Sequence, residues 1–255
     1  MIELEHVSVM RGACPVLHDI SLSIARGEQV ALLGPNGCGK STLLKTIVGE
    51  LYPLAAEGTR VRMMGRDRWD LTELKRSLGV VQNELPGRPL LTCTGREAVL
   101  TGFFSSSTLW PHLYVTSEMK ARADDIVEQI GAREYRDRLF SELSAGQQRR
   151  VLIGRALVAS ADCLLLDEPS NALDLRAQRD LRELLQELAE LGTTIVHITH
   201  HVADLVPAMQ RVLLMQRGRI VADGRRGDLL TAPVLSNLFE TDVHLTEQDG
   251  FLHAW

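Results

Sequence analysis

The 255 residues leave room for one α/β domain with appended lobes, or for two small domains. An apolar fraction of 45% and a charged fraction of 24% are ordinary for a soluble globular protein. A formal net charge of −5 gives no electrostatic ground for non-specific binding of DNA or RNA. The basic clusters, Arg225-Arg226 and Arg60/Arg62/Arg66/Arg68, are short and read as solvated turns and faces. No run approaches the roughly 18–20 apolar residues that span a bilayer. The start, Met-Ile-Glu-Leu-Glu-His, lacks the basic and apolar regions of a signal peptide. Cys14, Cys38, Cys93 and Cys163 show no C-x-x-C spacing, so the expectation is a cytoplasmic chain with reduced thiols and no zinc framework.

In chain order, residues 2–9 alternate in part and Ile20-Ser-Leu-Ser-Ile24 alternates strictly, which predicts a small antiparallel sheet punctuated at Gly12 and Gly27. An apolar run, Gln29-Val-Ala-Leu-Leu33, predicts a buried strand, and residues 41–49 a helix broken by Pro53 and Gly58. Val61-Arg-Met-Met64 reads as another short strand. Leu85-Pro-Gly-Arg-Pro89 reads as a loop, with two or three helices to follow. The clearest covers residues 116–130, with Met119, Ala123, Ile126, Val127 and Ile130 on one face, Thr116 capping its start and Gly131 its end. Next come a helix over 147–158, a strand over 163–166, an amphipathic helix over 175–191 and a strand over 194–199. A hairpin follows around Arg217-Gly218. In the tail, Leu229, Leu230, Val234, Leu235, Leu238 and Phe239 predict a docking helix, and Asp249-Gly250 a turn between strands 243–245 and 251–253. This alternation implies a mostly parallel sheet with its site at the strand C-terminal ends.

Between the strand at 29–33 and the helix at 41–49 stands Gly34-Pro35-Asn36-Gly37-Cys38-Gly39-Lys40-Ser41-Thr42, a phosphate-binding loop in its required context. Loop amides and the helix N-terminus aim positive partial charge at an anion. Lys40 is expected to reach the β- and γ-phosphates of ATP, and the Ser41 hydroxyl to ligate Mg²⁺. The strand at 163–166 ends in Asp167-Glu168. Asp167 suits a contact to Mg²⁺, and Glu168 stands where a carboxylate orients or deprotonates the water that attacks the γ-phosphate.

These motifs, with four more in order, make the chain resemble the nucleotide-binding subunits of the ATP-binding cassette (ABC) family over nearly its whole length. Gln82, after Leu78-Gly-Val-Val81, matches the Q-loop glutamine, Leu143-Ser-Ala-Gly-Gln147 the signature, Ser170-Asn-Ala-Leu-Asp174 the D-loop and His200 the switch histidine. The resemblance implies a P-loop NTPase of RecA-like α/β fold: a mostly parallel sheet core with an antiparallel β subdomain and a helical subdomain. Residues 1–228 would form the ATPase domain, the helical subdomain covering about 83–142, and 229–255 a short extension on the same domain. It further implies that Gln82 joins Ser41 and Asp167 around Mg²⁺, that His200 supports the γ-phosphate and that Asp174 belongs to the nucleotide interface. Ser144, Gly146 and Gln147 of one subunit would close over ATP on the other in a head-to-tail homodimer.

Three departures stand out. Ala145 replaces the first signature glycine. Arg11 stands where the family commonly stacks an aromatic on adenine; it either stacks its guanidinium on the base or is an exposed loop residue. His201 occupies a position where an acidic residue is common. Cys38 is either a thiol-reagent target or a small spacer, and His197 is expected in the core. The segment 103–114 holds Phe103, Phe104, Trp110 and Tyr114, which either receive a helix of a membrane subunit or pack the helical lobe. The details around Gly102-Phe103-Phe104 and His200-His201 are similar to molybdate- and iron-type importer ATPases. The functional expectation is an ATPase subunit held at the inner face of the membrane through an integral membrane permease, without nucleic acid. The alternative is a soluble ABC ATPase acting as a nucleotide-dependent regulator. A chromosome-maintenance role fares worst, because about a hundred residues separate phosphate loop from signature without sustained heptads.

Overall fold

Partial alternation in the first strand has a structural cause. In the computed structural model, which describes residues 1–82, 88–159 and 163–255, β1 (Ile2–Arg11) pairs antiparallel with β2 (Cys14–Ile24). Ile2, Leu4, Val7 and Val9 all turn into the core, although the step from Leu4 to Val7 is three residues. His6, at φ 50°, takes up the extra residue as a bulge. Facing it, Asp19 sits at φ 55°, and its carboxylate lies 2.8 Å from His6 Nδ1.

The chain continues through β3 (Gln29–Leu33), α1 (Lys40–Ile47), β4 (Arg60–Met63), α2 (Leu71–Ser77) and β5 (Leu78–Val81). The helical lobe carries α3 (Arg88–Leu91), α4 (Gly95–Leu100) and α5 (Ser117–Gln129). After it come α6 (Ala145–Leu157), β6 (Cys163–Asp167), α7 (Leu175–Glu190), β7 (Thr194–Thr199), β8 (Arg211–Gln216), β9 (Arg219–Arg225), α8 (Arg226–Leu229), α9 (Ala232–Phe239), β10 (Leu245–Gln248) and β11 (Phe251–Ala254). Strands β2-β1-β4 form the small antiparallel sheet. The main sheet runs β5-β6-β7-β3-β8-β9 and is parallel except for the β8-β9 hairpin.

That order places the site. β7 lies between β6 and β3, so the segments leaving the C-terminal ends of all three emerge side by side. Val30, Leu32, Leu165, Val196 and Ile198 face the β-subdomain side, while Ala31, Leu33, Leu164, Leu166 and Ile195 face the helical side; both faces are buried, as continuous apolar strands require. Helix α5 begins where Thr116 Oγ1 accepts from the Met119 N–H and ends at Gly131 with φ 65°.

Several expectations need adjusting. The loop expected over 85–89 and the start expected for the helical subdomain at 83 fall largely on 83–87, outside the described residues, while Arg88 and Pro89 belong to α3. Helix α2 lacks an apolar stripe long enough to announce it; Asp70 Oδ1 accepts from the Glu73 N–H at its start. The single tail helix is two, because the chain leaves helical geometry at Leu230 and Thr231 before Pro233 in the first turn of α9. The first tail strand starts at Leu245 rather than 243, since the Val243 N–H is taken by Ser236 Oγ.

Candidate functional site

The phosphate loop is shaped by contacts that only glycine permits. A Cβ on Gly34 would stand 2.2 Å from the Met215 carbonyl oxygen, and Gly39 holds φ 110°. Gly39 is also the N-cap of α1 and makes no side-chain cap, so the first-turn amides of α1 receive no acceptor from it. Lys40 is 5% exposed. Its Nζ donates to the Gly34 carbonyl at 2.8 Å and the Pro35 carbonyl at 3.0 Å, and lies 3.8 Å from Glu168 Oε1. The ammonium is thus folded over its own loop, next to an open cavity lined by Asn36, Gly37, Ser41, Thr42, Asp167 and Glu168. Arg11, exposed at the end of β1, lines that same cavity. Cys38 is buried, and burial raises its thiol pKa, with Lys40 opposing.

The two carboxylates differ in kind. Burial pushes the Asp167 pKa up, and the Ser41 hydroxyl pulls it back. Asp167 Oδ1 is buried without a hydrogen-bond partner among the described residues. An orphaned carboxylate oxygen beside a serine hydroxyl, at a cavity holding a lysine, is a hard-oxygen donor set that fits Mg²⁺. Glu168 sits at φ 49°, its N–H bonded to the Ile198 carbonyl at 2.8 Å. Its Oε1 is 2.8 Å from His200 Nδ1, and its Oε2 accepts from Asn171 Nδ2 at 2.5 Å. Burial raises the pKa of Glu168, but the bonds from His200 and Asn171 and the charge of Lys40 bring it below the ordinary carboxylate value. The group is therefore ionised at neutral pH.

The structure gathers Arg11, the phosphate loop, Asp167, Glu168 and His200, brings Gln82 alongside Asp167 through the pairing of Val81 with Leu166, and places Ser144, Gly146, Gln147 and Asp174 elsewhere. Gln82 lines a neighbouring cleft with Glu50, Arg76, Gly102 and Arg155, and its carbonyl accepts from Arg149 Nη1 at 3.0 Å. Ser144, Gly146, Gln147 and Asp174 line a third cavity, together with Tyr135 and Arg150. There Ser144 caps α6 in a closed box: its Oγ accepts from the Gln147 N–H, and Gln147 Oε1 accepts from the Ser144 N–H. Asp174 caps α7 by accepting from the Ala177 N–H at 2.8 Å. A Cβ on Gly146 would lie 2.7 Å from Ala177 Cβ, which explains a glycine there.

His197 lies in the core as expected, with neither ring nitrogen bonded among the described residues, and burial holds its pKa down at about 4. The His201 ring lies against His200 at 3.8 Å between centroids, tilted by 42°. Of the aromatic segment, Phe103 packs against the core, whereas Trp110 is 50% and Tyr114 82% exposed. Asn171 escaped the sequence reading although it lies inside the quoted D-loop stretch. Nothing in the sequence says that its amide folds back three residues onto Glu168.

A family model described as ABC transporter matches residues 17–171. The chain is 36% identical to the phosphonates import ATP-binding protein PhnC 2 of Nostoc sp., over 88% of this chain and 91% of that protein. It is 32% identical to the hemin import ATP-binding protein HmuV of Bradyrhizobium diazoefficiens, over 98% and 92% respectively. Among solved structures it resembles cbiO1 from Clostridium perfringens, part of the ABC transporter complex cbiONQ. The TM-score there is 0.78 and the identity 28%, with 92% of each chain covered.

Proposed function

The chain belongs to the ABC transporter family as an ATP-binding, ATP-hydrolysing subunit, and from that premise we propose how its residues divide the work. Lys40 and the phosphate-loop amides hold the β- and γ-phosphates. Ser41 and Asp167 would hold Mg²⁺ with Gln82, and the ion would supply positive charge that offsets the charge of the phosphates. Glu168 accepts a proton from water as the water oxygen bonds the γ-phosphorus and the bond to the β-phosphate oxygen breaks, leaving ADP and phosphate. His200 supports the γ-phosphate and Arg11 contacts the base. The observation that carries this reading is Glu168, ionised and held by His200 and Asn171 beside Lys40.

The second half of the proposal is a head-to-tail homodimer. Its support is the separation, within one chain, of the phosphate-loop cavity from the cavity of Ser144, Gly146, Gln147 and Asp174. Two copies would bring each phosphate cavity against the other copy's signature. Residues 1–228 act as the ATPase domain, with the helical subdomain at about 83–142 inserted and 229–255 as its extension. The partner is an integral membrane permease, which would hold the chain at the cytoplasmic face. Support comes from the cleft at Gln82, the exposed Trp110 and Tyr114 beyond it, and a relative that is part of a transporter complex.

The test is Glu168→Gln, which preserves shape and removes the base. Turnover should fall at least about 100-fold while ATP binding persists, and size-exclusion chromatography with Mg-ATP should show a dimer absent without nucleotide. Wild-type-like turnover would remove Glu168 from its role, and a monomer at every nucleotide concentration would remove the dimer.

A further inference from the structure

Asp204 closes the short 3-10 turn Val202–Asp204 and is 4% exposed. Its Oδ2 accepts two hydrogen bonds, from Ser170 Oγ at 2.6 Å and from Thr199 Oγ1 at 2.8 Å. Thr199 Oγ1 accepts in turn from the His201 N–H at 3.0 Å. Ser170 lies two residues past Glu168, and Thr199 directly precedes His200. One buried carboxylate oxygen therefore ties the segment that carries Glu168 to the segment that carries His200.

That arrangement is expensive if stability alone is considered. A carboxyl group buried without a charged partner loses its hydration at a cost, and among the described residues no lysine or arginine pairs with Asp204. His197, facing it from β7, is neutral at physiological pH. The neighbours Val202, Leu205 and Val206 are buried and apolar. An apolar residue in this place would fill the core without the desolvation cost, but it would not hold two hydroxyls from two different segments at one point. Two hydroxyls that meet on one buried oxygen at 2.6 Å and 2.8 Å fix their two segments in register.

We propose that Asp204 is a positioning residue for hydrolysis: it holds the segment after β6 to the segment after β7, so that Glu168 and His200 keep their 2.8 Å contact. The inference rests on the assignment of Glu168 and His200 to hydrolysis. Displacing a catalytic group by about 1 Å costs up to about 100-fold in rate, so the effect belongs in kcat. The nucleotide is held from the other side, by the phosphate loop, and its KM is left nearly unchanged.

The experiment measures kcat, KM for Mg-ATP and melting temperature in Asp204→Ala, Asp204→Asn, Ser170→Ala and the double variant Ser170→Ala/Asp204→Ala, with Glu168→Gln alongside. Asp204→Ala should lower kcat about 30-fold with KM within about twofold. Asp204→Asn, which keeps an acceptor oxygen, should recover part of that loss. The double variant should be no slower than Asp204→Ala alone, because both substitutions cut the same link. If Asp204→Ala does not fold, Asp204→Asn and Ser170→Ala still decide, each expected to lower kcat about threefold to tenfold at unchanged KM. Wild-type kcat in these variants overturns the proposal, as do losses that multiply in the double variant, or a lowered melting temperature with kcat per folded molecule unchanged. Turnover retained in Glu168→Gln would sink the site assignment itself. An inactive Glu168→Gln beside a fully active Asp204→Ala would sink only the link.

Discussion

The two helix N-termini to which phosphate binding is assigned in the proposed function are finished differently. Helix α1 starts at Gly39 with no side-chain cap, and its positive end is joined by the nearly buried ammonium of Lys40. Helix α6 starts at Ser144, whose hydroxyl and partner Gln147 satisfy each other in a closed capping box. An uncapped helix start with a buried cation is electrostatically incomplete by itself and draws an anion strongly. A self-capped start is already satisfied, so it gains little from an anion unless one is presented to it in place. On the proposed division of work, the first captures nucleotide and the second recognises nucleotide already captured.

The comparison breaks most visibly at Lys40. In Lys40→Ala the α1 site loses its buried cation, and ATP affinity should fall about 100-fold or more, near 2.7 kcal/mol, by equilibrium titration with a fluorescent ATP analogue. Binding that persists at wild-type strength would mean that the loop amides alone suffice. At the other cradle, Ser144→Ala should leave nucleotide affinity within about twofold while lowering turnover about tenfold to 100-fold. The lost cap should also cost about 1 kcal/mol of stability. A weakened affinity in Ser144→Ala, matching that of Lys40→Ala, would erase the distinction between capture and recognition.

How much of this was legible in the sequence differs between the two cradles for the same reason. The α1 site is contiguous: strand, loop and helix lie within residues 29–47, and each residue's task follows from its place in that run. Asp167 and Glu168 were readable as a strand end, and the strand order then brought them to the loop. The signature was recognisable as a motif, but a motif does not say that Ser144 and Gln147 close on each other, nor that Asp174 shares their cavity. Contacts that join distant segments left no local trace. Asp204 was an unremarked residue beyond the switch histidine, and nothing around Gln82 said that its carbonyl would accept from Arg149. The half-alternating first strand was legible as a strand, but its bulge at His6 depended on Asp19 across the sheet.

The floor beneath the capture side is sensitive to acid, which sharpens the contrast by a different route. His197 pairs in register with Ala31 of β3 and Leu166 of β6, the strands that deliver the phosphate loop and Asp167. Burial lowers its folded pKa to about 4, against 6.5 for the free side chain, with the charge of Asp204 opposing the shift. The unfolded chain therefore binds more protons between those values, so this contribution is complete above about pH 6.5 and is lost as pH falls toward 4. Melting temperature should drop by about 5 °C from pH 7 to pH 5, and His197→Leu should flatten that slope. An equal slope in both proteins would show that other groups set it.

The smallest effect tests where the capture side ends. Arg11 shares the phosphate-loop cavity but stands exposed at the tip of β1, paired in register with Cys14, and among the described residues nothing buried holds its guanidinium in place. Phosphate binding draws on glycine geometry, an uncapped helix and a buried cation. Base binding by an exposed arginine draws on stacking alone, worth about 0.5–1 kcal/mol at an open site. Arg11→Ala should accordingly raise KM for ATP by about threefold with kcat unchanged, and Arg11→Tyr, which restores a flat ring, should recover it. The ratio of KM for GTP to KM for ATP should move little in either variant, because a stacked plane touches every base through the same π-face. A shift in that ratio would mean that Arg11 reads the edge of the base, and the capture side would then extend from phosphate to base identity. An unchanged KM in Arg11→Ala would confine capture to the loop, Lys40 and the end of α1.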